Sequence, residues 1–321
     1  RPAALVAFQV REAALTEQLL LGAGLGLGIF GLLIFGLGLA GLFQPLPAYL
    51  ITLLLSAAAW PQWCRLGRQL RYWRPASRPG PWTTLYLLAV GLLALLVALT
   101  PPTDWDGLFY HLTGPKLYLQ AGQISGDFDV PHFSFPALME MLFAWTMLLR
   151  GDIAAKLLHA VFGLLLAGLV YLVTRRLLGP KAAWPAVVIL ASMPMLGTLA
   201  GWAYNDLALA FYQLAAIYAV CSWLYPQDSS LVNSSWRLAI GDSGLGAGET
   251  GTQRSELETV KPTVQNSKLK VHNSKLILSG VFAGLAMGLK YTSFITPLVV
   301  VGFILWRGFQ RTEAQGRNPS T

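Results

Sequence analysis

The residues best suited to chemistry lie in one short stretch, Thr103-Asp104-Trp105-Asp106-Gly107-Leu108-Phe109-Tyr110-His111, directly after an uncharged run at 85–100. A carboxylate where an apolar helix meets water can act as general base toward a hydroxyl or as ligand to a divalent cation. The structural alternative is capping. After Pro101 and Pro102, Thr103 or Asp104 can start a helix whose positive end Asp106 complements. One aspartate suffices for that task, so the second is left over. Asp206 lies in Gly201-Trp202-Ala203-Tyr204-Asn205-Asp206, at the end of another apolar run. An acid at such a depth is costly and often marks function, although Asn205 or Asp206 can also cap the following helix. Lys290, in an otherwise apolar setting, can neutralise a phosphate or extend its ammonium to the headgroups. His111 reads as a helper to a base, as a metal ligand, or as a solvated interfacial histidine. Asp152 is expected to cap the helix beginning at Ile153, and His159 to pack against a neighbouring helix. No Ser-His-Asp, HExxH or P-loop pattern occurs.

The elements that must position these residues are membrane helices. Hydrophobic residues make up 55% of the 321-residue chain and charged residues 12%, about half the charged share of a soluble domain. Spanning segments must satisfy their own backbone groups, which predicts an all-α polytopic bundle. Apolar runs place spans at 17–43, 46–63, 83–100, 153–174, 182–201 and 206–224, with 277–306 forming one long span or two short ones. The net charge of +8 resides in membrane-flanking loops and does not suggest nucleic-acid binding. Cys64 and Cys221 suggest neither a disulfide framework nor a metal knuckle. Gly26-Leu27-Gly28-Ile29-Phe30-Gly31 and Gly36-Leu37-Gly38-Leu39-Ala40-Gly41 match a dinucleotide fingerprint in letters only. Inside one uncharged span they are expected to be helix-packing positions.

Arg65, Arg68, Arg71, Arg74 and Arg78 form an acid-free loop, which the positive-inside rule places in the cytoplasm. Loop 101–152, with Asp104, Asp106, Asp127 and Asp129, then lies outside, and the basic loop 175–181 inside. Lys268, Lys270 and Lys275 before the last apolar stretch, with Arg307, Arg311 and Arg317 after it, favour a hairpin with Lys290 and Tyr291 at its outward turn. Segments 107–121 and 136–150 read as helices lying at the membrane interface. Residues 226–275 are rich in Ser, Gly and Thr and repeat Asn266-Ser267-Lys268-Leu269 at Asn273-Ser274-Lys275-Leu276, as expected of a disordered cytoplasmic insertion. The Asn233-Ser234-Ser235 acceptor pattern would face the wrong side for glycosylation. Four regions follow: a two-span extension with its Arg-rich loop (1–82), a core (83–225), the insertion (226–275) and the terminal span or spans (276–321). The chain opens on Arg1 and stops soon after an apolar run, which suggests a fragment.

The order of these features resembles the GT-C membrane glycosyltransferases, the superfamily that includes the protein O-mannosyltransferases and the lipid A aminoarabinose transferases. Asp106-Gly107-Leu108-Phe109-Tyr110 is similar to the Asp-Glu-x-x-Tyr of their first outward loop, with Gly107 where an acid usually stands. Gly122-Gln123-Ile124, Phe135-Pro136, Leu178-Gly179-Pro180, Ala203-Tyr204-Asn205-Asp206 and Gly288-Leu289-Lys290 continue the likeness over 83–306. The resemblance implies a plasma-membrane enzyme that moves a sugar from a polyprenyl-phosphate carrier to an acceptor hydroxyl at the outer face. Asp106 would be the base, with Asp104 taking the place of the missing acid. Lys290 would neutralise the departing phosphate, and Tyr110, His111 and Glu140 would contact the sugar. A divalent cation, Mg or Mn, would sit between Asp106 and Asp206. The later spans and outward C-terminal domain common in the family are not seen in this chain. A transporter and a catalytically silent membrane protein are the other readings.

Overall fold

Prolines and glycines punctuate a chain that is otherwise ready to be helical throughout. The computed structural model describes residues 2–71, 77–126, 130–225 and 273–316. Arg74, Asp127, Asp129, Asn233, Lys268, Lys270, Arg317 and the stretch 226–272 of the expected insertion lie outside them. The described residues form helices and no strand. These are α1 (Pro2–Leu39), α2 (Pro45–Ala58), α3 (Trp60–Arg71), α4 (Pro81–Leu99), α5 (Thr113–Ala121), α6 (Leu138–Arg150), α7 (Asp152–Leu178), α8 (Pro180–Ala191), α9 (Pro194–Ala200) and α10 (Asp206–Leu224). The helices α11 (Asn273–Met287) and α12 (Ile295–Gly316) follow. Proline opens α2, α4, α8 and α9 at the first turn, where the missing N–H has no intrahelical partner to lose.

Among the described residues, five segments are long and apolar enough to cross a membrane: Leu15–Leu39, Pro81–Leu99, Asp152–Leu178, Asp206–Leu224 and Tyr291–Phe309. The expected span 182–201 is instead the pair α8–α9, bent by 73°. Pro194 forces Met193 out of the helical region (φ −73°, ψ 115°), which ends α8. The expected span 46–63 is likewise divided, by Ala59, into a 14-residue α2 and an α3 that carries Arg65, Arg68 and Arg71.

Contacts between helices give the chain's direction through the bundle. At one end, Lys275 meets Glu17 at 3.2 Å, the Arg176 guanidinium donates to the Tyr225 carbonyl, and Arg307 lies over the Tyr225 ring. At the other end, Lys290 meets Asp206. Helix α11 therefore runs from the basic end to Lys290 and α12 returns, which is the hairpin expected for 277–306. Extended backbone at Lys290 (φ −156°, ψ 129°) breaks it.

Two expectations for the acidic loop change. Residues 107–121 are not one helix, since a π-helical turn over Gly107–His111 precedes α5. And α6 is not a helix laid on an open surface: Leu138 through Ala144 are all buried. With 13 residues, α6 is too short to span, and it is apolar on every side except at a few polar positions. It is enclosed by α1, α2, α5 and α7. Small residues of α1 permit that enclosure. A Cβ at Gly28 would stand 2.5 Å from Leu285 Cδ1, and one at Gly31 2.7 Å from Leu138 Cδ1. Close packing, as expected for the glycine runs, is therefore what these positions do, while Gly26 and Gly36 face open space.

Gly31→Val should force α1 off α6 and destabilise the bundle by about 1–3 kcal/mol, the usual range for overpacking. Gly36→Val should be nearly silent. Thermal melting of both variants in lipid nanodiscs checks the contrast, and equal melting temperatures would refute the packing assignment.

Candidate functional site

The turn after α4 separates the two aspartates by task. Asp104 is only 6% exposed, and its Oδ2 accepts the Gly107 N–H at 2.9 Å. Its carbonyl accepts the Leu108 N–H at 3.1 Å. Asp106 sits on helical backbone (φ −65°, ψ −38°), makes no capping hydrogen bond and is half-buried. Capping thus falls to Asp104 and leaves the Asp106 carboxylate over. The Leu112 N–H reaches the Gly107 carbonyl five residues back, closing the π turn that presents Tyr110 and His111. Single π turns of this kind recur at functional sites.

His111 corrects an expectation. It is not solvated but 1% exposed, with Nδ1 hydrogen-bonded to Glu140 Oε1 at 2.6 Å in a buried pair. The other Glu140 oxygen, Oε2, is buried without a hydrogen-bond partner. Tyr110 packs against the His111 ring (centroids 4.0 Å apart) and stacks on His132 (4.9 Å). Burial raises the Tyr110 pKa above the ordinary tyrosine value, and the charges of Asp106, Glu140 and Asp206 raise it further. Tyr204 moves the same way, first through burial and then through Asp106 and Asp104, partly offset by a backbone hydrogen bond from Asp106. These shared influences place the expected acids in one cluster around two neutral phenols.

The second arm comes from α10 and the α11–α12 hairpin. Lys290 Nζ lies 3.2 Å from Asp206 Oδ1, a pair joined across 84 residues of sequence. Asn205, just before α10, donates through Nδ2 to the Leu289 carbonyl at 3.0 Å, and its buried Oδ1 has no partner. Asp206 therefore has an ion-pair role besides standing in the first turn of its helix. Asp152 also differs from expectation. Gly151 holds the cap position, and the Asp152 carboxylate binds Lys116 at 2.6 Å.

Between these arms opens a small cleft of about 80 Å³ whose polar lining comes from Tyr110, Tyr118, His132, Glu140, Asn205, Lys290 and Tyr291. It shares the wall Phe133, Phe135, Pro136 and Ala137 with a wider apolar groove of about 470 Å³. That groove runs over Leu32, Phe35, Ile124 and Met141 toward the exposed flank of α1. The expected residues Asp104, Asp106, Tyr110, His111, Glu140, Asp206 and Lys290 thus all gather at one end of the bundle. Among the described residues, no three His, Cys, Asp or Glu side chains form a set that could hold a metal ion. Asp206 is also engaged by Lys290, so the residues at hand do not make a cage for the expected cation at Asp106 and Asp206.

Three contributors escaped sequence reading. Tyr118 looks like any aromatic of a short amphipathic helix, and His132 like a solvated loop residue. Lys156 is buried in α7, where its ammonium donates to the Val97 carbonyl (2.9 Å) and the Thr100 carbonyl (2.7 Å). The available signal was its position, a lysine one turn into a membrane span.

Glu140→Ala should leave the buried His111 Nδ1 unpaired and destabilise the protein by about 1–3 kcal/mol, seen as a lower melting temperature. Raising a phenol's pKa keeps it neutral to higher pH. The difference ultraviolet titration between the parent and Tyr110→Phe should therefore show no tyrosinate at pH 10.0, the ordinary midpoint. A half-ionised signal there would mean that Tyr110 does not lie among the acids.

No curated protein and no solved structure matches the chain. The family model described as dolichyl-phosphate-mannose-protein mannosyltransferase matches residues 140–247. That match begins at Glu140, passes through α7 to α10 and includes Asn205 of the cleft and Asp206, the partner of Lys290, so over this third of its length the chain is similar to the family.

Proposed function

We propose that this protein is an integral-membrane glycosyltransferase that moves a sugar from a polyprenyl-phosphate carrier to an acceptor hydroxyl at the outer face of the membrane. The observation that carries the reading is the continuity of a polar cleft, lined by Glu140, Asn205 and Lys290, with an apolar groove at one end of a helical bundle. A donor of this class is itself divided in that way, with a polar sugar phosphate joined to a long isoprenoid. The match of 140–247 to the mannosyltransferase family supports the same substrate class and favours a hexose. The outward assignment of the acidic end rests on the basic loops at the opposite end and the positive-inside rule.

In this reading the Asp106 carboxylate takes the proton of the acceptor hydroxyl as its oxygen attacks the anomeric carbon. The anomeric C–O bond to phosphate breaks, and the electron pair leaves with the polyprenyl phosphate, inverting the anomeric centre. Lys290, held beside the cleft by Asp206, offsets the charge growing on the phosphate. The two unpartnered buried acceptors, Glu140 Oε2 and Asn205 Oδ1, suit ligand hydroxyl donors. Tyr110, kept protonated, can donate to the sugar or phosphate. No step is assigned to a divalent cation.

The interrupted segments α8–α9 and α11–α12 favour a transporter as the second reading, since transporters bind substrates at broken helices. One experiment separates them. Proteoliposomes carrying the protein are supplied with mannosyl-phosphoryl-dolichol and a Ser/Thr-containing peptide. Transfer that falls by about 10²- to 10⁴-fold in Asp106→Asn, with unchanged expression and melting, supports the enzyme. Flux of donor across the bilayer without transfer supports the transporter. Full transfer by Asp106→Asn removes Asp106 from the role of base.

A further inference from the structure

Gly107 is the one position where the acidic stretch departs from the pattern it resembles, and the structure gives a reason. A Cβ built on Gly107 would overlap Asp104 Oδ2 outright and stand 2.8 Å from Asp104 Cγ. The side-chain direction of residue 107 therefore aims straight into the carboxylate that Asp104 delivers from three residues earlier. The pocket for a carboxylate at this point is single, and it can be filled from 104 or from 107 but not from both. We infer that Asp104 is a positioning residue whose carboxylate replaces a side chain at 107 and holds the π turn that follows Asp106, carries His111 and sets Tyr110 in the wall of the cleft.

Three further observations carry this. Asp104 Oδ2 accepts the Gly107 N–H at 2.9 Å, the first amide of the turn. Oδ1 is buried with no hydrogen-bond partner, which is unusual for a group that only caps. The segment that delivers Asp104 is fixed behind it, because Lys156 binds the Val97 and Thr100 carbonyls where α4 stops. The backbone is thus clamped at Thr100 and again at Gly107, with Asp106 between the clamps. Asp104 lies outside the lining of the cleft, so its effect on a bound donor passes through the turn.

The test is a swap of the carboxylate between its two roots. Asp104→Ala, Gly107→Glu and the double variant are prepared as full chains in nanodiscs. Each single change should lower the melting temperature by several degrees, one by emptying the pocket and the other by overfilling it. The double variant should recover most of that loss, and losses that simply add would overturn the inference. The kinetic arm rests on the proposed function and uses mannosyl-phosphoryl-dolichol as donor. There Asp104→Ala should lower kcat by about 100-fold with little change in KM, and the double variant should return to within about tenfold of the parent. Recovery of melting without recovery of kcat would overturn the positioning role. If the parent transfers no sugar, the glycosyltransferase reading fails, whereas the melting cycle still decides whether 104 and 107 share one pocket.

Discussion

The site depends on how one helix face of α7 satisfies the open backbone ends of its neighbours. Lys156 and His159, three residues apart and so on the same side, reach in two directions. Lys156 binds the carbonyls at the end of α4, as cations do at helix C-termini. His159 Nδ1 donates toward the Leu199 carbonyl in the last turn of α9 and the Trp202 carbonyl just after it, while its Nε2 accepts the Leu207 N–H at the start of α10. Inside an apolar bundle these groups have few other partners, and leaving them open is expensive. The two helix ends served are those that carry Asp106 and Asp206, so α7 sets both arms of the cleft.

From that pillar outward, the packing is economical in polar groups. The acids that matter are either paired, as Glu140 with His111 and Asp206 with Lys290, or spent on an amide, as Asp104. Asp106 is the exception. It stands half-buried among phenols whose burial and acidic surroundings keep them neutral.

Much of this was legible in the sequence because membrane helices write their signal over about 20 residues. The spans at Pro81–Leu99, Asp152–Leu178 and Asp206–Leu224 follow from unbroken apolar runs, and the last hairpin from basic flanks. Asp106 and Asp104 could be told apart only as alternatives, since capping depends on a dihedral and a distance. The errors share one physical cause. Apolar composition does not say what an apolar helix is buried against, so α6 read as interfacial although α1 packs over it through Gly31. It also does not register a single proline's effect on the preceding residue, and the bend at Met193 was missed for that reason. The readings of His111 stayed open because its partner, Glu140, is 29 residues away.

The joining of α10 to α11 has its own consequence. These helices are knit along their length by the Ser279 hydroxyl on the Ala216 carbonyl, by Tyr212 against Phe282, and by Asn205 on the Leu289 carbonyl. Both ends of the chain between them, at Leu224 and Asn273, are therefore anchored independently of whatever connects them. The pairing of Asp206 with Lys290 is thus held by the packing of α10 and α11 themselves, so a weakened seam between these two helices would be felt at the cleft before anywhere else.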